Sequence, residues 1–297
     1  RTLYHIIPDE VEAAASAAGC PGWSVFNFGV QGLNGAEQDW LIDRVVETGG
    51  DALKRVVIEE TLPQPKDLAE ATNKRARFFH GPGQYDAIVS SIWSFPESTP
   101  KRAFRTGVAA YGVVYDLSGV GRASERFFPQ PGEDWIHNFD FREDGFAALG
   151  EVTSDGIEAR RAAFLEDQTE FHAMIENYDP NGTAPNLDAR AAYTLGKIER
   201  LRAKGLNASY YIAPNPTELP RVPYVGQAVA AAAPDFTIMN FNQPDLYPEL
   251  FITDEWHDDA HLLREGATKL SRQIGADLCA GETTLPVINA ARESDVQ

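Results

Sequence analysis

Helix-like and strand-like patterns alternate near the start of this 297-residue chain, and this alternation constrains the fold more than any other feature. The segment "PDEVEAAASAAG" is typical of a helix, because Pro8 suits a first turn, acidic residues follow it and Gly19 ends it. The short apolar runs "WSVFNFGV" and "RVVIEE" predict buried strands on either side of a second helix, "NGAEQDWLIDRVVETGG". Strands separated by helices in this way predict a parallel sheet with crossover connections.

The same alternation returns after residue 186. The predicted strands there are "NASYYIAP" and "DFTIMNF". The predicted helices lie in "NLDARAAYTLGKIERLRAKG", "TELPRVPYVGQAVAAAAP" and "HLLREGATKLSRQIGADL". We therefore expect an α/β protein whose parallel sheet is covered by helices on both faces.

The alternation disappears between residues 66 and 186. This stretch is rich in aromatic residues, Gly and Pro, and it contains one clear helix pattern, at residues 155–177. We expect one α/β domain over residues 1–297, in which residues 66–186 form an insertion or subdomain that caps a site.

Composition excludes several classes of partner. The net charge of −18 would repel a phosphate backbone, so nucleic acid and anionic membrane surfaces are poor candidates. No apolar run is long enough to span a bilayer, and "RTLYHIIPDE" lacks the order of a signal peptide. A small-molecule substrate is the expected partner.

The stretch "NFGVQG", residues 27–32, follows the first predicted strand. Its glycines would let the backbone approach a ligand, and an exposed N–H group there could donate to a developing oxyanion. A turn that needs glycine only for its geometry explains the same letters.

The stretch "FITDEWHDDAHLLREGATKL" contains Asp-x-x-His twice, as Asp254 with His257 and as Asp258 with His261. Such a pair can form an acid–base dyad in which the carboxylate orients the imidazole. Two histidines four residues apart could instead bind a metal on a helix, with a third ligand from elsewhere. A charged loop without chemistry is the third option. The position after the last predicted strand and before the last helix favours the dyad, at the same sheet edge as "NFGVQG".

Together, "VFNFGVQG" and "DDAHLLREGATKLSRQIGADL" resemble the SGNH, or GDSL, hydrolase superfamily. The resemblance implies a flavodoxin-like, three-layer α/β/α fold and a Ser-His-Asp triad for ester hydrolysis or acyl transfer, without a cofactor or metal. Asn27, Gly29 and Gly32 match the family block Asn-x-Gly-x-x-Gly, whose last glycine contributes its N–H group to the oxyanion hole. The family block Asp-x-x-His continues with Leu and then Gly-Ala, as this chain does after Asp258 and His261. That frame is therefore the expected dyad, with Asp254 and His257 as flanking loop residues.

The resemblance covers residues 23–34 and 258–278, and the chain departs from the family in two places. The block Gly-x-Asn-Asp, expected near "VVIEETLPQ", is absent, which favours the branches that resemble polysaccharide O-acetyltransferases and cell-envelope acyl-transfer proteins. The family serine would stand immediately before Arg1, at the end of a strand, and we expect the natural protein to carry it there.

These features predict a serine ester hydrolase or O-acyltransferase that acts on an acyl ester, with an acetyl ester of a carbohydrate as the favoured substrate. The first alternative is a non-catalytic carbohydrate- or envelope-binding relative that lacks the nucleophile. The second is a metal-dependent hydrolase that uses "HDDAH".

The resemblance also bears on the two cysteines. In a flavodoxin-like fold the first and last helices lie on one face and end at the same sheet edge, which would bring Cys20 and Cys279 together. A disulfide and a pair of unbridged buried thiols are both compatible with this placement. A disulfide would indicate an extracytoplasmic location, periplasmic or secreted.

Overall fold

A computed structural model describes most of the chain, and its residues group into two compact units. The first unit comprises Arg1–Gln31, Arg55–Glu60 and Trp135–Gln297, and the second comprises Gly32–Lys54 and Thr61–Asp134. The residues that the structure describes are 2–30, 33, 35–60, 85–94, 97–119, 142–149, 155–185 and 187–283.

The first unit contains a parallel sheet of three described strands. They are β1 (Arg55–Glu59), β2 (Asn207–Ile212) and β3 (Ile238–Asn240), in the order β1-β2-β3. Val57 lies opposite Ser209, and Tyr210 lies opposite Ile238. The prediction of an α/β fold with a parallel sheet is confirmed, and the flavodoxin-like layering stays a prediction.

The first unit also contains the following described helices. Their bounds are α1 (Thr2–His5), α2 (Pro8–Ala17), α6 (Asp155–Glu166), α7 (Thr169–Glu176), α8 (Leu187–Ala203), α9 (Val222–Ala232) and α10 (Arg264–Thr283). Four of them, α2, α8, α9 and α10, were predicted from the sequence. Helix α2 begins at the expected Pro8, and Gly19 follows it with a positive φ of 101°, which glycine adopts without steric cost.

The second unit contains three described helices, α3 (Gly35–Gly49), α4 (Tyr85–Ser94) and α5 (Thr99–Leu117). Ile88 and Ile92 of α4 pack against Ala109 of α5. Only α3 was predicted, because the aromatic and glycine content around α4 and α5 obscured their helical periodicity. No helix in the described parts of the chain is long and apolar enough to cross a membrane.

The region predicted as an insertion, residues 66–186, is described in part. Its single predicted helix at 155–177 is two helices, α6 and α7, with a break at Asp167. The Thr169 N–H group donates to the Asp167 side chain at 2.9 Å, whereas continuation of α6 would pair it with the carbonyl four residues earlier. Phe164 and Phe171 belong to the hydrophobic core of the first unit. The function of this region as a cap stays a prediction.

The predicted strand at residues 23–30 is wrong, since this described segment forms no strand. Its N–H groups bond elsewhere: Val25 donates to the Glu12 carboxylate at 2.6 Å, and Asn27 donates to the Asp144 carbonyl at 2.8 Å. An apolar run becomes a strand only when another strand pairs with it, and the described strands pair only with one another.

Helices α2 and α10 pack side by side and are joined covalently. Gly275 of α10 permits their close approach, because a Cβ atom there would overlap the Val11 carbonyl of α2. A disulfide joins Cys20 to Cys279, with 5.7 Å between the Cα atoms. Of the two options left open by the sequence, the structure shows the bridge.

Candidate active site

Residues Glu255–Leu263, which we name the dyad loop, form a tight antiparallel turn just before α10. The Leu263 N–H group donates to the Glu255 carbonyl, and the His257 N–H group donates to the His261 carbonyl, each at 2.7 Å. Trp256 and Leu262 form an antiparallel bridge between these bonds. The pairing leaves residues 258–261 at the tip of the loop.

Asp258 and His261 meet at this tip. Asp258 Oδ1 lies 2.8 Å from His261 Nδ1 and also accepts a hydrogen bond from the Ala260 N–H group at 3.0 Å. A carboxylate at this distance requires the Nδ1–H tautomer, so the neutral ring has an unprotonated Nε2. No described residue hydrogen-bonds to Nε2. The ring can therefore accept a proton at Nε2 from a substrate or a nucleophile.

Asp258 remains ionised in this setting. Burial by itself would raise the pKa of the carboxyl group. The hydrogen bond and the charge of His261, together with the Ala260 N–H group, outweigh burial and hold the pKa below its usual range. An ionised carboxylate fixes the orientation of the imidazole and stabilises the imidazolium that proton uptake creates.

The imidazole ring of His261 contacts two aromatic side chains of α1. Its centroid lies 5.9 Å from the Tyr4 ring and 6.2 Å from the His5 ring, both edge to face. His5 is fully buried, and its Nε2 accepts a hydrogen bond from the Leu262 N–H group at 3.0 Å, so Nε2 carries no proton. Burial raises the pKa of Tyr4 to about 12, against the opposing charge of Arg160, and the phenol stays neutral. No local sequence signal marks either residue, because their contacts join residues near the two ends of the chain.

The start of α1 is fixed to the carboxyl ends of β1 and β2. The carboxylate of Glu59, the last residue of β1, accepts hydrogen bonds from the Thr2 N–H group at 2.8 Å and from the Thr2 hydroxyl group. The Tyr211 hydroxyl lies 2.7 Å from the same Thr2 oxygen. These bonds hold the start of α1 at the carboxyl edge of the sheet. This is the edge where α/β proteins bind ligands.

A second pair of polar residues lies buried at the end of β1. Glu60 forms an ion pair with Arg190 of α8 at 3.0 Å. Burial raises the pKa of Glu60, and the charge and hydrogen bond of Arg190 oppose that shift. Two consecutive carboxylates, Glu59 and Glu60, at the end of a buried strand are the sequence signal for these polar contacts.

The glycine-rich block near residue 27 packs against α1 and hydrogen-bonds to its backbone. The Asn27 side-chain amide, only 4% exposed, donates to the carbonyls of Thr2 at 2.8 Å and Ile6 at 2.7 Å, and its oxygen accepts from the Gly29 N–H group at 2.8 Å. A Cβ atom on Gly29 would overlap the backbone nitrogen of Leu3. Gly29 thus permits a close approach of its backbone to α1, and the predicted approach of a ligand to this block stays a prediction. Gly32 lies outside the described residues, and its oxyanion-hole role stays a prediction.

We expect Gly29→Ala to lower the free energy of unfolding by about 1–3 kcal/mol, because the added methyl group displaces α1. Urea denaturation measures this change. Gly196→Ala in α8 is the matched control, since a Cβ atom there meets nothing within 4 Å. The control should stabilise the chain by about 0.5–1 kcal/mol, as alanine does in a helix interior. Equal effects of both substitutions would contradict the assigned contact.

The structure corrects two expectations about His257. The helix that a metal site would need does not exist between His257 and His261, since α10 begins only at Arg264. His257 is also buried, at 4% exposed, instead of flanking the site, and its Nε2 donates to the Ile157 carbonyl at 3.2 Å. Burial lowers the pKa of this imidazole, against the opposing charge of Asp258. Among the described residues, no group of three His, Cys, Asp or Glu side chains could hold a metal ion.

No protein-family model, curated protein or solved structure matches this chain.

Proposed function

We propose that this protein is an SGNH-like serine ester hydrolase or O-acyltransferase with a flavodoxin-like fold. The observation that carries the proposal is the 2.8 Å contact between Asp258 Oδ1 and His261 Nδ1, with no hydrogen bond to Nε2 from any described residue. An ionised, partly buried carboxylate behind an imidazole is the arrangement that general-base activation of a hydroxyl nucleophile requires.

In the proposed reaction, His261 Nε2 removes the proton of a serine hydroxyl group while the serine oxygen attacks the acyl carbonyl carbon. The tetrahedral oxyanion accepts a hydrogen bond from the Gly32 N–H group. His261 then gives its proton to the leaving alcohol, and an acyl-serine remains. Water or an acceptor hydroxyl then gives its proton to His261 Nε2 and attacks the carbonyl carbon of the acyl-serine. The bond to the serine oxygen breaks, and His261 returns the proton to that oxygen. The general base and the oxyanion donor each contribute about 10²- to 10⁴-fold in rate.

The proposal places the nucleophile on a serine that directly precedes Arg1 in the natural protein. Its support is the block order of the family that the chain resembles, together with the position of α1. Thr2, at the start of that helix, is bonded to Glu59 at the carboxyl edge of the sheet. Tyr4 and His5, in the same helical turn, contact the ring of His261.

The proposed substrate is an acyl ester, with an acetylated carbohydrate favoured, and the proposed location is extracytoplasmic. The Cys20–Cys279 disulfide supports this location, since such bridges persist in oxidising compartments. The proposed cap, residues 66–186, would enclose the substrate.

A fluorophosphonate probe tests the nucleophile, because it forms a covalent adduct only with an activated serine. We expect the gene product that includes the residues before Arg1 to be labelled at the serine next to Arg1, and to release p-nitrophenol from p-nitrophenyl acetate. The chain that begins at Arg1 is the matched control, because it retains the dyad and lacks this serine. A longer gene product without label and without turnover would contradict the proposal.

A non-catalytic carbohydrate-binding protein is the second candidate. The observation that favours it is that no described hydroxyl group hydrogen-bonds to His261 Nε2. It predicts that the longer gene product binds an O-acetylated oligosaccharide in calorimetry, releases no acetate from it and takes up no fluorophosphonate.

A further inference from the structure

We propose that Arg161 of α6 is a positioning residue for the Asp258–His261 dyad. Arg161 and the carbonyl of Ile157 both hydrogen-bond to the Trp256–His257 segment of the dyad loop. The expected effect of Arg161 on kcat rests on the proposed function. Its expected effect on the Asp258–His261 hydrogen bond does not.

The two points lie one helical turn apart on α6. The Arg161 Nη1 group donates to the Trp256 carbonyl and, at 3.5 Å, to the His257 carbonyl. The Ile157 carbonyl accepts the Nε2–H group of His257 at 3.2 Å. Residues four apart share one face of a helix, so the two groups contact neighbouring loop residues together.

The loop needs an external donor at this point. Its internal pairing uses the carbonyls of Glu255 and His261 as acceptors, and no N–H group of the loop donates to those of Trp256 and His257. Both residues are buried, at 0% and 4% exposed, where an unpaired carbonyl is costly. A guanidinium group supplies charge-assisted hydrogen bonds in a fixed planar geometry.

The other side of the segment is held by the core. The Trp256 indole N–H group donates to the Leu250 carbonyl at 3.1 Å, and its ring packs against Phe171 and Phe251. Asp258 follows directly in the chain, so the position of its carboxylate depends on the backbone that Arg161 holds. Loss of the Arg161 hydrogen bonds would therefore lengthen or misalign the Asp258–His261 hydrogen bond.

The experiment compares Arg161→Met with Arg160→Met in the gene product that includes the residues before Arg1. Arg160 is the matched control: it is exposed on the same helix, its hydrogen bond goes to the Gly156 carbonyl of α6, and its charge also acts on Tyr4. The readout is the downfield proton NMR resonance of the His261 Nδ1–H group, assigned by its absence in His261→Ala.

We expect the resonance to persist in Arg160→Met and to be lost or broadened in Arg161→Met, with thermal unfolding confirming that both variants fold. On p-nitrophenyl acetate, Arg161→Met should lower kcat about 10- to 100-fold while KM changes less than about twofold, as a displaced catalytic group does. Arg161→Lys should fall between wild type and Arg161→Met, because the lysine side chain is one bond shorter and brings its ammonium group less close to the two carbonyls that Arg161 Nη1 contacts.

A wild-type resonance and kcat in folded Arg161→Met would overturn the proposal. If Arg161→Met does not fold, Arg161→Lys decides, and a wild-type resonance and kcat in that variant would overturn it. If the wild-type protein turns over no ester, the proposed function fails, and the NMR comparison still decides the role of Arg161.

Discussion

His261→Ala is expected to lower kcat for p-nitrophenyl acetate about 10³-fold or more and to leave KM nearly unchanged. The substitution removes the only described group that is held by a carboxylate and has a free acceptor nitrogen at this edge of the sheet. Without that acceptor the proposed serine nucleophile would keep its proton and would be a weak nucleophile. Stopped-flow or steady-state release of p-nitrophenol by the gene product that includes the residues before Arg1 measures the loss.

His172→Ala is the matched control for this prediction. His172 is exposed on α7, and its ring nitrogen lies 3.5 Å from the Thr253 hydroxyl, outside the dyad. It should retain wild-type kcat. Asp258→Asn should lose nearly as much activity as His261→Ala, because an amide can donate to Nδ1 and so stabilise the wrong tautomer of His261. Full activity in His261→Ala would refute the dyad.

Replacement of both cysteines, by Cys20→Ser and Cys279→Ser together, is expected to lower the free energy of unfolding by about 2–5 kcal/mol. The two residues are 259 positions apart in sequence, so the bridge restricts nearly the whole unfolded chain. It also joins α2 to α10, the helix that follows the dyad loop directly. Urea denaturation of the oxidised wild type and the double variant measures the difference.

Reductant supplies the control for the disulfide. Dithiothreitol should destabilise the wild type by a similar amount and leave the double variant unchanged. Unfolded, unreduced wild-type protein should contain no titratable thiol, and the detection of two thiols would show that the bridge does not form in solution.

The sequence by itself determined the three described strands, five of the helices and the spacing of the dyad. Proline and acidic residues at helix starts, glycines at helix ends and short apolar runs act locally, so the following elements could be predicted: α2, α3, β1, α8, β2, α9, β3 and α10. The interval from Asp258 to His261 is also local. A single turn of the backbone can bring the side chains of residues three positions apart together, without help from distant parts of the chain. The structure shows Asp258 and His261 in contact.

Only the tertiary structure decided what depends on distant partners. Residues 23–30 have the composition of a strand, but a strand exists only where another strand supplies its hydrogen bonds. Asn27 could be matched to a sequence block, but that it binds the carbonyls of α1 depends on how two separate segments pack.

The two Asp-x-x-His frames show the same division. Their letters are alike, and local spacing does not distinguish them. In the part of the chain that the structure describes, no group hydrogen-bonds to His261 Nε2, whereas His257 is buried and donates to the Ile157 carbonyl, about a hundred residues earlier in the chain. Arg161 donates hydrogen bonds to the backbone carbonyls of Trp256 and His257. Burial and long-range hydrogen bonds, which arise only when the chain is packed, thus distinguish the histidine of the proposed dyad from the histidine that is bonded to α6.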